Sequence, residues 1–128
     1  MEQIQFQDTY PVYKLAMDKG ECRFASVAEI AAHLKAQVDE HAMASYIGEF
    51  DNYAHTSQLG GEIADNIRAA TNLIFCFSPK IPGPDVLAVR PRSFGIIETD
   101  DQFIINFLAA PMPFANETME QWAEGLRQ

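Results

Sequence analysis

The chain has 128 residues, 48% of them apolar and 21% charged, with a formal net charge of −9. That length and balance suit one folded unit with a real core and exclude a disordered chain. The acidic excess argues against phosphate backbones and anionic lipid surfaces, so neither nucleic acid nor membrane is expected as a partner.

Residues 10–19, "YPVYKLAMDK", predict a first strand, with Pro11 near its start and Gly20 ending it. Residues 26–42, "SVAEIAAHLKAQVDEHA", give the clearest helix. Val27, Ile30, Ala31, Leu34, Val38 and Ala42 recur at spacings of three and four and form one apolar face. Ser26 and Glu29 make a capping box, in which hydroxyl and carboxylate each take a free amide of the first turn. Residues 44–53 predict a second strand, where Gly48 hosts a bulge that turns both Ile47 and Phe50 inward. "HTSQLGG" then reads as a turn, and residues 62–70 as a short helix, because Ile63 and Ile67 lie one turn apart.

"NLIFCFS", residues 72–78, is apolar on both faces, the pattern of a central strand covered on both sides. Pro79 stops it and opens a proline-rich connection, in which Val86 to Val89 suggest a further short strand. Residues 93–108 predict a hairpin around Thr99, Asp100 and Asp101. Residues 116–128 predict a last helix, capped by Asn116 or Thr118, that buries Met119, Trp122, Ala123 and Leu126. Helices and strands mix, yet the chain closes on an antiparallel hairpin. The expected fold is α+β: a two-layer sandwich in one domain over 1–128, with a mostly antiparallel sheet and helices on one face.

Four phrases carry a resemblance: "SVAEIAAHLKAQV", "IGEFDNYAH", "LIFCFSPKI" and "VRPRSFGIIETDDQFIINFLAAP". Between residues 26 and 111 they resemble a family of small bacterial proteins described as a domain of unknown function, number three hundred and two. The resemblance implies a compact α+β domain on a mostly antiparallel sheet, often self-associated, with no assigned reaction. The chain departs from that pattern where Asn52 and Tyr53 follow Asp51 and the histidine comes only at His55. Its proline-rich loop is also longer.

Candidate chemistry is sparse. Cys22 and Cys76 lie 54 residues apart, with no metal-like spacing, and are expected as free thiols. The start, "MEQIQFQDTY", has neither a basic segment nor an apolar run, and no stretch suits a membrane span, so a cytoplasmic location is expected. Cys76 sits inside an apolar run and is expected in the core, as a small hydrophobe rather than a nucleophile. Residues 76–92 hold Lys80, Arg90 and Arg92 against one acid, Asp85, a net of +2 that leaves −11 for the rest. Such a cluster can bind a carboxylate or phosphate, or simply pair with surface acids. His41, Asp51 and His55 are metal-ligand types without an enforcing spacing, so no metal is expected. "QLGGE" lacks the remaining residues of a nucleotide fingerprint and reads as a turn, and no cofactor is expected.

Two readings remain. One is a noncatalytic binding or interaction module that forms a homodimer. The other is a sensor or enzyme for a small anionic metabolite, held by Lys80, Arg90 and Arg92 with Asp51 or His55 as acid or base.

Overall fold

The computed structural model describes residues 1–128. Its strands are β1 (Glu2–Phe6), β2 (Tyr10–Asp18), β3 (Ala44–Asp51), β4 (Ile67–Phe77), β5 (Arg92–Thr99) and β6 (Gln102–Leu108). Its helices are α1 (Val27–Glu40), α2 (Asn52–Gln58) and α3 (Pro113–Glu124). The six strands form one sheet in the order β1-β2-β6-β5-β4-β3, every neighbouring pair antiparallel. This is the α+β architecture that the mixed pattern and closing hairpin predict.

Period-two burial places the core. Leu15 and Met17 of β2, Leu73, Phe75 and Phe77 of β4, Phe94 and Ile96 of β5, and Phe103, Ile105 and Phe107 of β6 are buried. They form one cluster with Val27, Ile30, Ala31, Leu34 and Val38 of α1 and Ala115, Met119, Trp122 and Ala123 of α3. Each of the larger aliphatic and aromatic side chains contributes about 1.5–3 kcal/mol of hydrophobic stabilisation, and the alanines less. Removing one aromatic, as in Phe75→Ala, is expected to cost about 3–5 kcal/mol. The α1 stripe matches the sequence pattern except at Ala42, which lies beyond the helix end and is exposed.

Capping follows the sequence with one change of detail. Ser26 Oγ accepts from the Glu29 N–H at 3.1 Å, and the Glu29 carboxylate accepts from the Ala25 N–H at 2.9 Å, one residue earlier than a standard box. The last helix starts at Pro113, ahead of the expected Asn116, because proline at N1 has no amide to leave unpaired. Asn116 is used otherwise: its side chain accepts from the Ala110 N–H and donates to the Ala110 carbonyl.

Several local expectations are corrected. Residues 62–70 are not a helix; the chain is irregular to Asn66 and Ile67 opens β4, pairing with Thr99. The helix of this region is α2, begun by Asp51, whose carboxylate accepts from the Ala54 N–H at 2.9 Å. The β3 bulge exists, with Ile47 as the extra residue between Tyr46 and Gly48. It does not turn Ile47 and Phe50 inward: they are 57% and 42% exposed, and Ala44 and Tyr46 pack against the core instead. Residues 84–89 form a 3-10 turn, not a strand. β4 has its α1 and α3 side buried, while Asn72, Ile74 and Cys76 on its other side are only half-buried.

Candidate functional site

The helices α1 and α3 cover one face of the sheet, and strand register defines what the other face carries. Glu2 opposes Lys14, Lys14 opposes Asn106, Asn106 opposes Gly95, Gly95 opposes Asn72, and Asn72 opposes Phe50. One row of side chains therefore crosses all six strands. An apolar row of Ala16, Ile104, Ile97 and Ala70 flanks it on one side. On the other side stand Ile4, Val12 and Leu108, and then Ser93, Ile74 and Gly48. The only charges in these rows are Glu2 and Lys14, which face each other.

The centre of this open face is a network of amides and a hydroxyl. Asn72 Nδ2 donates to Ser93 Oγ at 2.9 Å, and Asn52 Nδ2, from the first turn of α2, donates to Asn72 Oδ1. Asn106 lies over Gly95, its Oδ1 filling the space that a Cβ would need. Glycine in a strand is costly and marks such a close approach.

Two hollows open on either side of Asn106, which lines both. One, of about 320 Å³, is lined by Asn72, Ser93, Gly95 and Asn106 and walled by Ala88 and Val89 of the 3-10 turn. The other, of about 460 Å³, is lined by Ile4, Phe6, Val12, Lys14, Ile97 and Ile104. Amides and hydroxyls do not titrate near neutral pH. They recognise by hydrogen bonding, and the apolar rows around them supply contact area.

A second feature lies at the end of the sheet where β5 begins. Arg92 points to the helix side, is only 7% exposed, and donates from Nη2 to the Leu108 carbonyl. Its Nε is buried without a partner. Burial lowers the pKa of this guanidinium from its ordinary value. Arg90, joined to Pro91 by a cis peptide, donates to the Lys80 carbonyl. Arg90 and Arg92 line one small cavity, with Phe77 and Met112. No carboxylate lies within ion-pairing distance of Lys80, Arg90 or Arg92, whereas Lys19, Lys35 and Arg68 each have one and Arg127 has two.

The sequence candidates thus divide. Arg90 and Arg92 share a cavity, and Lys80 adds its backbone carbonyl while its side chain stays exposed. Asp51 and His55 lie elsewhere. Asp51 pairs with Thr71 and Arg92 with Phe75, four residues apart on β4, which is about 13 Å along the strand. Asp51 caps α2 and lines a separate hollow with Glu49 and Arg68. His55 packs on Phe50 at 5.1 Å between ring centroids. His41 ends α1, where its ring lies 5.8 Å from Phe77 and 5.6 Å from Trp122 and its Nδ1 accepts from the Met43 N–H.

Cys76 is corrected: it is half-buried on the open-face side of β4, and the core thiol is Cys22 at 4% exposure. A run apolar on both faces does not say which face the helices take. Asn72, Ser93, Gly95 and Asn106 did not emerge as candidates. Their signal was present, since asparagine and glycine are depleted in strands and stand here inside three strongly β-forming runs.

No helix is long and apolar enough to cross a membrane. The profile of a family of unknown function (DUF6858) matches residues 1–128. The expectation of a family without assigned function holds, but this family is a different one from number three hundred and two. No curated protein and no solved structure matches the chain.

Proposed function

We propose that this chain, which belongs over its whole length to the family of unknown function DUF6858, is a noncatalytic binding module that pairs with a second copy through the open face of its sheet. The observation that carries the reading is the charge pattern of that face. In a chain of net charge −9, the three central rows hold only the opposed Glu2 and Lys14. Two copies therefore meet there without bringing like charges together, which most other surfaces of an acidic protein would do.

The apolar content fits. Phe6 is 54% exposed and Leu108 is 51% exposed, and both line the hollows of this face. Six strands about 4.8 Å apart and roughly seven residues long give a footprint of about 600 Å². A stable interface takes about 800 Å² from each partner, so the face approaches the required size. The central amides suit a two-fold contact, because each carries both donor and acceptor and so complements its own copy.

Sedimentation velocity from low to high micromolar concentration tests the reading. The wild type is expected as a dimer, Leu108→Lys as a monomer, and Gln121→Lys, on the exposed side of α3, as a dimer. A wild-type chain that stays monomeric throughout overturns it.

A further inference from the structure

The corner formed by Arg90, Arg92 and the start of α3 is independent of the open face. Three observations there converge. First, Arg92 is more than nine-tenths buried, lines the cavity, and keeps its Nε without an acceptor. A buried guanidinium without a carboxylate is an uncompensated cation, and Arg presents its donors in a planar fork suited to a planar anion. Second, Arg90 lines the same cavity and also lacks a carboxylate partner, so the two positive charges are not cancelled within the chain. Third, Met112 lines the cavity and is the N-cap of α3 but has no side-chain acceptor for the helix amides. The start of a twelve-residue helix therefore lies beside the cavity, where its dipole favours an anion.

Size and lining narrow the ligand. The cavity measures about 10 Å³, room for one oxygen of an anion whose remainder lies outside against the apolar rim. Its remaining walls include Phe77, Val89 and Ala110. Outside it, Met112 is 41% exposed and Phe114 is 46% exposed, the latter 5.4 Å from the Phe77 ring. We propose that this corner binds a small aliphatic monocarboxylate, with one carboxylate oxygen at Arg92 Nε, Arg90 over the head group, and the tail against Met112 and Phe114. A carboxylate there satisfies the orphan Nε–H and complements the first turn of α3. The apolar rim favours a longer tail over a shorter one.

The test uses two readouts on the full chain. The Nε–H cross-peak of Arg92 reports the contact directly. The fluorescence of Trp122, the sole tryptophan, reports through Phe77, on which it stacks at 5.8 Å. Acetate, butyrate and hexanoate are titrated at constant ionic strength, with chloride and phosphate as comparators. Saturable shifts are expected with carboxylates alone, hexanoate binding more tightly than acetate. Arg92→Met and, on the more accessible side, Arg90→Gln should each weaken hexanoate at least tenfold, with unchanged circular dichroism confirming their fold. The proposal is overturned if no carboxylate saturates, if phosphate or chloride acts equally, or if the folded Arg90→Gln variant binds as the wild type does.

Discussion

The amide oxygen of Asn106 occupies the position where a side chain on Gly95 would begin. These residues are directly paired across β5 and β6, at the middle of the open face. Gly95→Ala therefore has to displace the Asn106 side chain. Because the atom that must move is the end of a short side chain, the expected cost is about 1 kcal/mol, at the low end for overpacking. Asn106→Ser in the same chain should recover most of it. Urea unfolding of the two single variants and the double variant measures the coupling, and additive effects would remove the contact from the account.

Arg92→Met exchanges a desolvated cation for an apolar chain of similar length. The lost hydrogen bond to the Leu108 carbonyl opposes the gain. Burying a cation without a partner is the larger effect, so the variant is expected to be more stable by about 1–2 kcal/mol in a buffer free of carboxylates. A lower unfolding midpoint would mean that the chain already compensates this charge.

His33 packs against Phe24 at 4.9 Å between ring centroids. Its pKa is lowered from 6.5, first by burial and then by the Arg23 charge, with Glu40 acting the other way. A depressed folded pKa means that the unfolded chain binds more protons in this range. The contribution of neutral His33 is therefore present above the unfolded value of 6.5 and lost as pH falls through the lower folded value. Urea midpoints at pH 7.5 and pH 5 should fall more for the wild type than for His33→Gln. Equal falls would count against it.

Ser26→Ala leaves the Glu29 N–H without its acceptor at the start of α1. The expected loss is about 1 kcal/mol, read from thermal or urea unfolding. Glu29→Gln should cost less, because an amide oxygen can still accept from the Ala25 N–H.

Strong local chemistry made parts of this fold legible in the sequence. The Ser26 cap with its apolar stripe gave α1, and the turn at Thr99 to Asp101 gave the β5–β6 hairpin. Weak or misleading local signals hid the rest. β1 has no buried residue, so its Gln3, Ile4, Gln5 alternation left little mark. Ile63 and Ile67 matched a helical spacing, but cross-strand pairing with Thr99 claimed Ile67 for β4. The shared location of Arg90 and Arg92 was readable from two basic residues flanking Pro91 in an acidic chain. Their separation from Asp51 and His55 was not, because it depends on where β4 meets its neighbours.

The order β1-β2-β6-β5-β4-β3 also bears on how the chain is made. Four of its strands follow one another as a meander, but β2 meets β6, where Leu15 pairs with Ile105 across 90 residues. At about 5–20 residues per second, β2 leaves the ribosome several seconds before its inner partner does. Until then the β2 edge of the first hairpin lacks its partner, and Leu15 and Met17 have no sheet to bury against. The closing seam of this protein runs inside the finished sheet, between its second and third strands, so a chain ended within β6 leaves the N-terminal hairpin with no sheet to join and also lacks the α3 part of the core.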